Sequence, residues 1–136
     1  MKNIKLSACM VAVLASMTLV QGCALLVVGG LAAGAAYGTV MYVNNTLKVS
    51  HNISLETAWN AANGALNDLQ IAVESSTKDG ASGKLTAHNA QAQPVIVQVI
   101  RKTDKDTDIE ITVGTFDDAA NRTEAQQIYA KMKSRF

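Results

Sequence analysis

No charged residue occurs between Leu6 and Leu47, whereas charges are scattered through everything that follows. A stretch of that length cannot be the surface of a small water-soluble domain, because a polar outer face needs polar side chains at regular intervals. The chain therefore divides in two. A charge-free N-terminal part answers to a membrane or a secretion machinery, and a C-terminal part beginning near Leu47 carries the pattern of a folded domain.

The charge-free part is itself subdivided. Lys2 and Lys5 precede an apolar run from Leu6 to Val20, and Gln21-Gly22 leads to Cys23. A short apolar stretch behind positive residues, ending in a small-residue site, is the pattern of a removable secretion signal. The run Leu19-Val20-Gln21-Gly22-Cys23 resembles the lipobox of bacterial lipoprotein signal peptides. That resemblance implies cleavage between Gly22 and Cys23, removal of residues 1–22, and a diacylglyceryl group with an N-acyl chain on Cys23. Each buried methylene contributes about 0.8 kcal/mol, so several acyl chains hold a protein where one does so only marginally. Ala24, a residue other than aspartate after the cysteine, implies by the same resemblance the outer membrane, on its periplasm-facing leaflet. No other cofactor is expected.

Between Cys23 and the folded part, Gly30, Gly34 and Gly38 recur every fourth residue among small apolar side chains. That spacing lines one helical stripe and lets backbones approach closely. Two readings follow for residues 24–43, a tether or membrane-proximal helix and a glycine-zipper span that self-associates. Tyr37 and Tyr42 fit either the headgroup level, as interfacial aromatics, or the packed core. The expected organisation is a signal peptide over 1–22, a lipidated tether over 23–45 and a domain over 46–136.

Charge and cysteine count narrow the chemistry. The precursor has Lys+Arg 12, Asp+Glu 11 and a net charge of +1; losing Lys2 and Lys5 with the signal brings it near −1. Nothing in that balance points to nucleic acid as a partner. Cys9 falls in the discarded signal and Cys23 would carry the lipid, which leaves no thiol for a disulfide or for catalysis.

In the domain, Leu47-Lys48-Val49-Ser50-His51 alternates like a half-buried strand. Ser54 is placed to cap a helix over 55–69, where Leu55, Ala58, Trp59, Ala62, Leu66 and Leu69 form one apolar stripe. Ile71 and Val73 begin a strand, Asp79-Gly80 supplies a turn, and Leu85 and Ala87 alternate with polar neighbours. Pro94 opens the β-branched run Val95–Ile100, and Asp108–Val113 alternates again. Asp117 or Asp118 caps a closing helix over 119–134. The order β-α-β-β-β-β-α predicts an α+β domain, an antiparallel four- to five-stranded sheet packed against two helices.

Ser54-Leu55-Glu56-Thr57-Ala58-Trp59, Asp68-Leu69, Val73, Gly83, the Val95–Ile100 strand and Val113-Gly114-Thr115-Phe116 resemble a family of small uncharacterised bacterial lipoproteins. The likeness covers nearly the whole mature chain and implies this fold without a mechanism. The element order also resembles the helix-grip-like domains of BamC, an outer-membrane assembly lipoprotein, at the level of fold only.

The remaining candidates read as structural. His51 and His88 lack any metal-ligand spacing and are expected at the surface. Asp104, Asp106, Asp108 and Glu110 alternate like a calcium loop, but Ile109 and Thr115 stand where that loop needs Gly and an acid, so a solvated hairpin turn is expected. Trp59 reads as a core anchor; a cavity beside it would instead make a small-molecule or lipid site. Lys131, Lys133 and Arg135 suit a helix C-terminus or lipid headgroups. No catalytic set emerges. The sequence is that of a non-enzymatic, lipid-anchored envelope module with a membrane and an envelope protein as partners.

Overall fold

The fold is that of a computed structural model in which residues 40–136 are described. It is an antiparallel sheet with two helices on one face. Strands β1 (Met41–Val43), β2 (Thr46–His51), β3 (Ala72–Lys78), β4 (Ser82–His88), β5 (Pro94–Arg101) and β6 (Thr107–Val113) join helices α1 (Leu55–Asp68) and α2 (Ala119–Lys133). The sheet runs β1-β2-β6-β5-β4-β3. The α+β class is as expected, and the strand count is six rather than four or five.

The additional strand is β1, in the stretch assigned to the tether. Asn44 and Asn45 both adopt positive φ, 47° and 64°. Two such residues make the tight turn whose twist suits a two-residue hairpin, and Val43 pairs with Thr46 across it. Asn tolerates this conformation better than most residues. Asn45 then donates through Nδ2 to the carbonyls of Val113 at 2.8 Å and Gly114 at 3.1 Å, tying the turn to the end of β6.

Alternation decides the sheet's two faces. Leu47, Val49, Leu85, Val95, Val97, Val99, Ile109, Ile111 and Val113 are buried towards the helices. The opposite face carries cross-strand polar pairs, among them Thr46 with Thr112 at 2.8 Å and Lys48 with Glu110 at 2.7 Å. β3 departs from the rule. All its residues are exposed, and its register shifts between Val73 and Ser75. A bulge on a long edge strand discourages pairing with another chain.

Both helices begin at the expected caps. Ser54 Oγ accepts from the Thr57 amide at 3.1 Å, and Asp118 Oδ1 accepts from the Asn121 amide at 2.8 Å. α1 ends in a Schellman arrangement: the Gln70 and Ile71 amides donate to the carbonyls of Asn67 and Leu66, at 3.1 and 2.9 Å. Gln70 takes the left-handed position of that motif, φ 55°, which glycine fills more cheaply. The buried stripe of α1 is mostly alanine, Ala58, Ala61, Ala62 and Ala65, so the helix sits close to its neighbours. α2 buries Ala125, Ile128 and Met132.

Trp59 fills the space between α1 and β4. A Cβ added at Gly83 would lie 2.4 Å from Trp59 Cε3 and 2.5 Å from Cζ3. Gly83 therefore makes room for the indole. Lys78 Nζ lies 5.8 Å from the ring centroid. Gly83→Val is expected to cost about 1–3 kcal/mol, the usual penalty for overpacking. Urea denaturation measures it, and the cost should shrink in a Trp59→Ala background if the ring is what the new side chain meets.

Candidate functional site: a trough beside the second helix

Gly22, Cys23, Gly30, Gly34 and Gly38, on which the expected cleavage site, lipid attachment and glycine stripe fall, lie outside the described residues. The other candidates can be placed. His51 and His88 do not meet. They stand on β2 and β4, with β6 and β5 between them, and point to opposite faces. Among the described residues no cluster of three or more His, Cys, Asp or Glu forms. His88 is on the open face, with Nδ1 2.8 Å from Glu74 Oε1.

His51 is not at the surface as expected. It is buried, 5 % exposed, because it shares strand parity with Leu47 and Val49. Its Nε2 is 2.5 Å from the Tyr129 hydroxyl, and Phe136 packs edge-on with ring centroids 4.9 Å apart. Burial raises the Tyr129 pKa, so the phenol stays protonated beside the ring. Burial of His51, with the Lys133 charge nearby, lowers the histidine pKa below its usual value.

The four acids form a hairpin turn and its flank. Thr103 Oγ1 donates to Asp106 Oδ2 at 3.0 Å. Asp108 is partly desolvated, which opposes ionisation, but hydrogen bonds from Ser50 and Lys102 outweigh this and hold its pKa low. Arg135 reaches back to Asp68 at 2.7 Å, while Lys131 and Lys133 sit in the last turn of α2, where cations complement the helix dipole.

A second cluster joins β1 to α2. Tyr42 donates its hydroxyl to the Arg122 carbonyl at 3.0 Å. The Arg122 guanidinium lies 5.4 Å from the Tyr42 ring centroid and grips Asp117 through Nε and Nη2, at 2.6 and 2.5 Å. That fork lowers the Asp117 pKa. β1 is thereby fastened to the start of α2.

Among the described residues a cleft of about 560 Å³ is bounded by the end of α1, the β4–β5 loop and α2. That volume falls in the usual range for ligand sites, about 300–1,000 Å³. Asn89 organises its wall. It is 8 % exposed, and its Oδ1 accepts from the amides of Gln91 and Gln93 at 3.1 and 2.9 Å. Its Nδ2 donates to Gln93 Oε1 at 3.1 Å and to Glu124 Oε2 at 2.8 Å. All four hydrogen-bonding positions of this amide are used, so the loop is pinned to α2. Gln70, Gln91 and Gln127 line the cleft over an apolar floor that includes Leu69 and Ile71. A shallower cleft continues past Leu69 and Gln127 to Lys131 and Ser134, so the two form a trough along α2. These residues come from separate segments, and no local motif announced them.

Two outcomes are expected. Because folded His51 binds a proton less readily than the unfolded chain, the stability from keeping it neutral is complete above the ordinary histidine value and lost as pH falls through that value towards the lowered one. Urea midpoints at about pH 7.5 and about pH 5.5 should show a fall that flattens in His51→Gln. Arg122→Ala should loosen β1, seen as faster amide exchange at Met41–Val43 with little change in the core strands.

No curated protein matches the chain. Residues 5–131 match the family described as "Protein of unknown function (DUF3568)", and on that coverage the chain belongs to this family.

Proposed function

We propose that this protein is a lipid-anchored lipoprotein of the bacterial cell envelope, held in the outer membrane, whose domain serves as a non-enzymatic protein-interaction module facing the periplasm. The observation that carries this reading is the run Leu19-Val20-Gln21-Gly22-Cys23 behind Lys2, Lys5 and an apolar stretch. The family match, over residues 5–131, includes that run. The likeness to the BamC domains adds an analogy of architecture and transfers no function.

Such an anchor would limit how far the domain can stand from the membrane. Residues 24–40 separate Cys23 from β1. At about 3.5 Å per residue this segment reaches at most about 60 Å, and less if any of it is helical. The domain would stay within one small-protein diameter or two of the bilayer. Partners are then other envelope proteins within that radius.

Mass spectrometry of the mature N-terminus, with membrane fractionation, tests the anchor. Wild type is expected to begin at an acylated Cys23 and to sediment with membranes, and Cys23→Ser is expected to lose the acyl mass. A wild-type chain that starts at Met1 with an unmodified Cys23 would overturn the proposal.

A further inference from the structure

The residues that follow α2 are held by two contacts of different kinds. Arg135 donates to Asp68 Oδ2 through Nε and Nη2, at 3.2 and 2.7 Å. A Cβ added at Gly64 would lie 2.6 Å from Arg135 Nη1, so this glycine of α1 makes the room in which the guanidinium lies. The next residue reaches another element. The Phe136 ring meets the His51 ring of β2 edge-on. Phe136 is 39 % exposed and His51 only 5 %, so an aromatic side chain at the surface covers a buried imidazole. The backbone holds this cover weakly, since the Phe136 amide reaches the Lys133 carbonyl only at 3.5 Å, longer than an ordinary hydrogen bond.

A positive charge on His51 would find little to offset it. From α2 it faces the Tyr129 hydroxyl and the repelling charge of Lys133. From β6, Thr107 stands opposite, and its hydroxyl is spent on the Ile53 carbonyl at 2.8 Å. From α1, Asp68 is occupied by Arg135. A proton on the imidazole therefore calls for water, and the aromatic neighbours differ in what they can yield. Tyr129 lies within α2 and can leave only if the helix moves. Phe136 lies beyond it.

We infer that residues 134–136 form an acid-released clasp, in which Arg135 is a pivot that stays on Asp68 and Phe136 is a lid that leaves His51 when the imidazole takes a proton. Lifting the lid costs one edge contact and hydrates the ring. The pivot does not answer to the same proton. Hydrogen bonds from Arg135 hold the Asp68 carboxyl below its usual range, so the fork is intact where histidine titrates. The closed clasp binds a proton on His51 less readily than the open one. The open fraction therefore rises as pH falls through the ordinary histidine value and levels off below the lowered one. Opening presents a free phenylalanine and a charged imidazole beside Lys133, a surface absent at neutral pH. The clasp belongs to the domain and does not depend on the acylation of Cys23.

The experiment uses the full chain solubilised in detergent, with His51, Phe136 and the backbone amides followed by NMR between about pH 7.5 and about pH 5. As pH falls, the Phe136 ring shifts are expected to move towards those of an exposed phenylalanine and its amide to gain fast motion, at the midpoint of the His51 titration. The core strands should not change. In Phe136→Ala the His51 midpoint should rise towards the ordinary histidine value, because its cover has gone; the lost side chain lies at the surface, so this variant should fold. In His51→Gln, Phe136 should stay in place over the whole range. In Asp68→Ala, Phe136 should already be mobile at about pH 7.5, because the pivot has gone. An unchanged His51 midpoint in Phe136→Ala, Phe136 motion with a midpoint unrelated to His51, a fixed Phe136 in Asp68→Ala, or core exchange protection lost together with Phe136 would each overturn it. The first of these is read without the His51 variant.

Discussion

The close seating of α1 on the sheet governs the rest of the domain. An antiparallel sheet with one apolar face must be covered, and helices whose buried side chains are alanine can come nearer than leucine-rich ones. Ala58, Ala61, Ala62 and Ala65 provide that approach. Trp59, on the same helix, is too large for it unless the strand beneath gives way, and β4 does so at Gly83. The small stripe and the one large ring are thus a matched set. They fix the height of α1 above β4, and so the position of its C-terminal end. Leu69, Gln70 and Ile71 follow from that end, and one wall of the trough with them.

α2 is held differently. Its buried face is narrower, Ala125, Ile128 and Met132, and it is fastened at points along its length by polar contacts. Tyr42 binds near its start, Asn89 in its first half, His51 through Tyr129 further on, and Asp68 at its end through Arg135. These contacts come from β1, the β4–β5 loop, β2 and α1. A helix located by many weak polar ties keeps its outer side chains in register with the loops they face, which a trough shared between helix and loop requires.

Much of this was legible in the sequence, and the exceptions have physical reasons. Capped amphipathic helices and alternating strands carry their own periods, so α1, α2, β2, β4, β5 and β6 could be read directly. β1 could not, since three residues at the end of a charge-free run have no period; the consecutive asparagines were the available signal. Most of β3 hid because an edge strand exposed on both sides has no alternation to detect. His51 was misplaced although its parity with Leu47 and Val49 pointed inward, because histidine counts as polar until a partner such as Tyr129 is known. The trough was invisible for a deeper reason. Glu124 and Asn89 are adjacent only after the sheet has formed.

The hairpin at the chain's entry has a mechanical consequence. For a domain held at Cys23, as proposed above, a pull along the chain passes Val40, which packs against the core, and then loads β1. β1 lies at the sheet edge and runs antiparallel to β2, so its hydrogen bonds open one pair at a time, from Met41 towards the turn. The Tyr42 contact resists first. Asn45, bonded to the end of β6, stops the tear. Only a few residues are given up and the core strands stay paired. At about 3.5 Å per residue, freeing 41–44 adds about 14 Å of slack. β1 would then act as a yielding link that takes up load before the core strands do.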